Sequence, residues 1–323
     1  MKTNRVIKIF LASSEELEAD RYRFGNLIRK LDNIYEKRGI RIELFEWEDY
    51  DAAYNGMRKQ DEYNERVRAS DMFLALFHKK AGKFTIEEFN IARKAFDKQA
   101  SPKIYTYIKD LEAGESESRE LAEFKRLMLE ELGHYWCRYS NFDTMQLHFV
   151  LQLQMVEATT PIKVEVKESQ VKIGDSTIAD LNNVPFTSEN ATYKELQSRK
   201  EQLDREIGNA ESGGRRGFFG QRSRTTDEEL ANLREERESV TEQIERQEKA
   251  LVDTAMSIAR MQGGECRTRM RTAAELFEKG EIDKAGAVLK EDDMEADATN
   301  AKLKFDTAAQ PTAELTRNIE RCA

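Results

Sequence analysis

Residues 1–158 predict an α/β domain, a parallel sheet with helices on both faces, and the remainder predicts a small β-hairpin followed by long helices. Three observations carry this prediction. Short apolar runs of strand length alternate with segments of helical spacing through residue 158, the pattern of a parallel sheet wound with helices. A stretch bracketed by Pro161 and Pro185 then alternates apolar and charged residues, the period of a half-buried strand. Beyond residue 190, leucine, isoleucine and valine recur at heptad-like spacings within very polar sequence.

Each element of the first half has its own signature. Val6-Ile7-Lys8-Ile9-Phe10-Leu11-Ala12 is a run of buried-strand length. Ser13 with Glu16 three residues on reads as a capping box, and Leu17, Tyr22, Phe24, Leu27, Ile28 and Leu31 supply the apolar face of the helix it starts. Ile40, Ile42, Leu44 and Phe45 form a second strand, which ends in the polar, aromatic stretch Glu46-Trp47-Glu48-Asp49-Tyr50. A short helix through Tyr63 and Val67 leads into a third strand, Met72 to Phe77. The loop His78 to Lys83 follows, then a helix from Phe84 to about Phe96 and a fourth strand, Lys103 to Ile108. An acidic loop, a helix near Leu121–Leu132, the segment His134–Tyr139 and a helix from Phe142 to Val156 complete the unit.

Residues 159–190 read as a hairpin connector, with Ile162, Val164 and Val166, then Val171 and Ile173, alternating with charged residues. Residues 191–262 read as an antiparallel helical hairpin. Leu196, Leu203 and Ile207 mark one helix, and Leu230, Leu233, Val240, Ile244 and Leu251 mark a seam on its partner, interrupted by Arg237 and Gln247. Gly208–Arg224, glycine-rich and carrying Arg215, Arg216, Arg222 and Arg224, reads as a connector between them, and Thr226 with Glu229 reads as a second capping box. In residues 263–323, Ala273-Ala274-Glu275-Leu276-Phe277 and Ile282-Asp283-Lys284-Ala285 flank Gly280. Two helices meeting at a glycine turn, with small residues at the contact, resemble one tetratricopeptide unit. A single repeat cannot bury its own core, so it packs on the coiled coil or opens a longer array.

Composition narrows the function classes. A chain of 323 residues suffices for two or more folded units. Its 35% of charged residues is more than a compact globule needs and suits elongated helices. A net charge of −9 argues against a nucleic-acid partner, because phosphate binding needs concentrated Lys and Arg. No stretch approaches the roughly 20 apolar residues of a spanning helix, and the N-terminus lacks the apolar core of a secretory signal, so no membrane partner is expected. Cys137, Cys266 and Cys322 are scattered and odd in number, which predicts reduced thiols and a cytoplasmic location. The three histidines lack metal-ligand spacing and no metal is expected: His134 and His148 read as structural, His78 as a solvated loop residue.

Open parallel sheets bind ligands beyond the carboxyl ends of their strands, where the strand order switches direction. Attention therefore falls on Ser13 and Ser14, on Trp47–Tyr54, and on the loop ending at Phe84. Phe84-Thr85-Ile86-Glu87-Glu88-Phe89-Asn90-Ile91-Ala92 opens the helix after the third strand. Here the chain resembles TIR domains and the TIR-like modules of bacterial defence proteins, over roughly residues 5–158. Phe84 stands where that family usually has Trp and Thr85 where it often has Cys. Glu88 falls at the family's catalytic Glu, and Phe89 and Ala92 fit its packing positions. Lys8 to Ser14 is similar to the family's first strand and ligand-facing loop, and Ser70-Asp71 to the pair that leads into its third strand. The chain departs from the pattern in having Phe for Trp and in the loop 46–58, which is hard to align.

The resemblance implies a flavodoxin-like TIR fold and cleavage of the nicotinamide–ribose bond of NAD⁺, a substrate here, with no further cofactor. Nicotinamide is already a cationic leaving group, so no general acid is required. The protein must bind the ribose, stabilise an oxocarbenium-like centre and control what attacks it. In this reading Glu88 is catalytic, Trp47 or Phe84 stacks on a ring of the dinucleotide, and the Ser13/Ser14 helix start offers N–H groups to a phosphate. Water attack gives ADP-ribose; attack by a base nitrogen gives cyclic ADP-ribose. The resemblance further implies activation by self-association through the TIR domain and helical region, a protein trigger at the C-terminal helices, and a role in bacterial antiphage immunity. Plainer readings stand beside each residue. Glu88 near a helix start also suits the helix dipole, and Glu87 competes with it. Ser13 serves equally as a simple cap, and Trp47 as core. A non-catalytic TIR-like adaptor and a nucleoside or nucleotide N-glycosidase are the alternative functions.

Overall fold

The computed structural model describes residues 5–46, 59–132, 134, 136–156, 162–213, 227–260, 272–273, 276–277 and 281–288. The chain divides into two compact units, one built on a parallel sheet and including a pair of later strands, the other built on long helices.

In the first unit, β1 (Arg5–Ser13), β2 (Ile40–Phe45), β3 (Met72–Phe77), β4 (Lys103–Lys109) and β5 (Trp136–Tyr139) form one sheet in the order β2-β1-β3-β4-β5. Every pairing is parallel. This 2-1-3-4-5 order is the flavodoxin-like doubly wound arrangement, with its switch between β1 and β3. Helices α1 (Glu18–Glu36), α2 (Lys59–Ala69), α3 (Lys83–Gln99) and α4 (Arg119–Glu130) make the four crossovers, and α5 (Phe142–Val156) follows the last strand. The segment His134–Tyr139, given no element by its sequence, supplies the short fifth strand.

The apolar runs are continuous because both sheet faces are covered. Phe10 and Ala12 of β1, Phe73, Ala75 and Phe77 of β3, and Ile108 of β4 pack against Val67 of α2, Phe89 and Ala92 of α3, and Leu121, Phe124 and Met128 of α4. The intervening residues Ile7, Ile9, Leu74, Leu76 and Tyr107 are equally buried on the other face. There α1 and α5 meet through an edge-to-face pair, Phe24 and Phe149, with ring centroids 4.8 Å apart. Ser70-Asp71 tie strand starts together: the Asp71 carboxylate accepts the Lys8 N–H at 2.7 Å, and the Asp71 carbonyl accepts the Lys103 N–H at 2.9 Å.

The hairpin connector holds three strands instead of two, β6 (Val164–Lys167), β7 (Gln170–Ile173) and β8 (Ser176–Asp180), in the order β6-β7-β8. Gly174, at φ 56°, opens the two-residue turn from β7 to β8, a conformation that costs glycine little.

The second unit contains α6 (Pro185–Ser188), α7 (Ala191–Gly213) and α8 (Asp227–Arg260). Tyr193 meets Glu248, Asp204 meets Arg237 and Glu211 meets Arg234, so α7 and α8 run antiparallel. Tyr193, Leu203, Val240 and Ile244 form their seam, flanked by Leu196 and Leu233. The connector expected from Gly208 begins later, because α7 continues to Gly213. A glycine inside a helix costs only about 1 kcal/mol, which a packed partner helix offsets. Arg215, Arg216, Arg222, Arg224 and Thr226 lie outside the described residues. Of the tetratricopeptide-like segment, Ala273 and Ala285 are buried, and Phe277 packs on Phe186 with centroids 4.6 Å apart. Among the described residues, no helix is long and apolar enough to cross a membrane.

Candidate active site

The loops that follow β1 and β3 flank the switch in strand order, the place where a doubly wound sheet leaves a crevice. The capping box expected at Ser13 and Glu16 does not form. β1 runs through Ser13, a 3-10 turn at Glu15–Leu17 precedes α1, and Ser14 at its start makes no side-chain cap. The Glu16 carboxylate turns away from its own helix. Its Oε1 accepts the backbone N–H groups of Lys79 at 3.0 Å and Lys80 at 3.2 Å, and the Ser14 hydroxyl at 3.3 Å. One carboxylate oxygen thus bridges the two loops on either side of the switch.

The β3–α3 loop is also held from the β4–α4 side. The ammonium of Lys79 pairs with Glu115, whose other oxygen lies 3.3 Å from His78 Nε2. The Lys79 side-chain contact and the Glu112 N–H hold the Glu115 carboxyl below its usual range, while Glu115 raises the Lys79 ammonium. The Lys79 carbonyl accepts the Ser118 N–H at 2.7 Å, and the Ser118 hydroxyl caps α4 by accepting the Leu121 N–H at 3.2 Å. His78, expected in solvent, is only 11% exposed on its side chain for this reason.

Helix α3 begins after Gly82, and Thr85, Glu88, Phe89, Ala92 and Ala95 form its buried stripe. Glu88 is the one acidic member, 7% exposed, five residues beyond the first residue of the helix. At 1.5 Å per residue it stands about 8 Å from the helix start, close to the carboxyl ends of the strands. Phe89 beside it is wedged between Phe124 at 5.0 Å and His134 at 5.6 Å, and His134 Nε2 lies 2.9 Å from the Thr106 hydroxyl. Glu87 does different work: it is half-buried and accepts the Asn64 side-chain amide at 3.2 Å, tying α3 to α2. Phe84 projects outward, 56% exposed. Trp47 lies outside the described residues.

Beneath Ser13 and Ser14 sits a polar cluster that sequence reasoning missed. Arg21 is 2% exposed and donates from Nη1 to the Ser13 hydroxyl at 2.9 Å and the Ser14 carbonyl at 2.8 Å. Asp20 is 3% exposed and accepts from Lys109 Nζ at 2.9 Å and the Tyr139 hydroxyl at 3.0 Å. Burial, reinforced by Asp20, pushes the Tyr139 phenol far above its ordinary value. The cluster joins the ends of β1, β4 and β5 to α1. Its signal in the sequence was present: Asp20 and Arg21 sit three and four residues after Leu17 and before Phe24, in the apolar stripe. On the same face His148 is buried against the Tyr107 hydroxyl, 3.0 Å away, and burial lowers its imidazole to about 4.

The structure therefore gathers Ser13, Ser14, Glu16 and the His78–Gly82 loop around the switch, and sets Glu88 on the sheet-facing side of the helix that leaves it. Fold and rim define an α/β protein of flavodoxin-like strand order, with loops cross-linked over its strand tips and a buried carboxylate on the helix that follows the central strand. In comparisons with known proteins, no family model matches the chain, nor does any curated protein or solved structure.

Proposed function

We propose that the chain is a TIR-type NAD⁺ glycohydrolase in which Glu88 acts on the ribose next to nicotinamide. The observation that carries this reading is the position of Glu88, a carboxylate 7% exposed on the sheet-facing stripe of the helix after the central strand. A carboxylate there can accept hydrogen bonds from ribose hydroxyls and place negative charge where the C1′ centre becomes cationic as the bond to nicotinamide breaks. Low solvent exposure strengthens that interaction. Water then adds to C1′, releasing a proton and ADP-ribose; a base nitrogen of the same nucleotide adding instead gives the cyclic product. The exposed Phe84 is available to stack on a ring of the dinucleotide. Self-association through this unit and the helical hairpin completes the site, and depletion of NAD⁺ serves bacterial antiphage defence.

The test is nicotinamide release from NAD⁺ at several protein concentrations. Glu88→Gln keeps the side-chain shape, removes the charge and is expected to lower turnover at least 100-fold while circular dichroism is unchanged. Equal turnover in the variant overturns the assignment. One observation favours a second reading, a non-catalytic adaptor: Phe84 and Tyr22, 56% and 69% exposed, are large aromatic surfaces of the kind that anchor protein contacts. In that case wild type and variant both release no nicotinamide at any concentration.

A further inference from the structure

We propose that the backbone N–H groups of Lys79 and Lys80 form a phosphate-binding nest, and that the Glu16 carboxylate occupies it as an internal stand-in that an anionic ligand must displace. Two successive N–H groups converging on one oxygen make an anion-binding concavity, the geometry by which loops cradle phosphates. Here the oxygen is Glu16 Oε1, with the Ser14 hydroxyl as a third donor. The two residues precede the Gly82 cap of α3, so these donors are additional to the free N–H groups at that helix start. Their position is the switch between β1 and β3, where sheets of this order take their ligands.

Three features distinguish a displaceable stand-in from a fixed staple. Glu16 is exposed, so water reaches its carboxylate and the contact is a weak one to give up. The nest does not depend on Glu16 for its shape: Glu115 grips the Lys79 side chain and Ser118 the Lys79 carbonyl, from the opposite side. Lys80 on the loop and Lys83 at the first position of α3, both exposed, offer ammonium groups to a ligand carrying more than one negative charge, which a single carboxylate does not use. The ligand class that fits is a pyrophosphate group, free or within a dinucleotide. Assigning it to a dinucleotide rests on the NAD⁺ reading above; the nest does not.

The experiment titrates inorganic pyrophosphate into the ¹⁵N-labelled full-length chain and reads affinity and backbone amide shifts, so turnover plays no part and failure of the NAD⁺ reading leaves it intact. The Lys79 and Lys80 amides are expected to shift on binding. Glu16→Gln, which removes the competing charge, and Glu16→Ala, which removes the competing group, are each expected to tighten binding about tenfold. Amide spectra that otherwise superpose on wild type certify that both variants are folded. Binding that moves other amides but not these two overturns the proposal, as does an affinity within twofold of wild type in both variants.

Discussion

In the parallel-sheet unit, Asp20 and Arg21 are 3% and 2% exposed and reach the ends of β1, β4 and β5, whereas α7 and α8 carry most of their charges in water. Arg199–Glu236, Arg234–Glu211 and Arg237–Asp204 all have side chains at least 39% exposed. Exposed pairs of this kind contribute roughly 0–1 kcal/mol and are screened by salt. Buried groups are different, because each must find its own partner or remain desolvated and unpaired. The sheet unit thus uses charge to specify which loops meet at the strand tips, and the helical hairpin uses it mainly to stay hydrated around an apolar seam. Among its described residues the hairpin has one exception. Glu248 is fully buried and accepts the Tyr193 hydroxyl at 2.8 Å through Oε1, while Oε2 has no hydrogen-bond partner among the described residues. Burial in turn raises the Tyr193 phenol to about 12, so it remains a donor at neutral pH.

The contrast can be broken at three points. Asp20→Ala strands the Tyr139 hydroxyl and leaves Lys109 without its carboxylate. It is expected to destabilise the sheet unit by about 3 kcal/mol, read as lost amide-exchange protection in β1 and β4. A loss below about 1 kcal/mol means the cluster specifies nothing. Tyr193→Phe removes the donor to a buried carboxylate and is expected to cost the hairpin about 1–2 kcal/mol, read as faster exchange near the end of α8. Unchanged exchange means Glu248 is hydrated after all. The smallest effect sharpens the comparison: a double-mutant cycle on Arg237→Ala and Asp204→Ala is expected to give coupling below about 0.5 kcal/mol that vanishes in high salt. Coupling above about 1 kcal/mol puts the hairpin's surface pairs on the footing of the buried ones.

The fold was legible wherever periodicity speaks. The runs at Val6–Ala12, Met72–Phe77 and Lys103–Ile108 announce strands covered on both faces, and the Leu233–Val240–Ile244 seam announces a partnered helix. The fifth strand was not legible, because four residues, Trp136–Tyr139, are too few to show a period. At the candidate site, the family resemblance favours Glu88 while Glu87 competes with it in the sequence, and the structure places the two differently: one lies on the buried stripe, the other is held by Asn64. Long-range side-chain contacts were invisible. Glu16 reads as a local cap because local partners are all a sequence displays, yet the two backbone N–H groups it accepts lie 63 and 64 residues away. His78 reads as solvated because nothing in its neighbourhood names Glu115.

The brevity of β5 has a bearing on how copies of this protein can meet. A neighbour that tried to extend the sheet past Trp136–Tyr139 would find only four residues of open backbone, with Arg138 forked onto Asp110 through Nε at 2.9 Å and Nη2 at 2.6 Å at that margin. Short, charged outer strands of this sort discourage strand-to-strand addition, the route by which exposed sheets fuse into fibres. Any ordered multimer of the sheet unit on that flank must therefore be knit by side chains of loops and helices, which can be altered one residue at a time without touching the sheet.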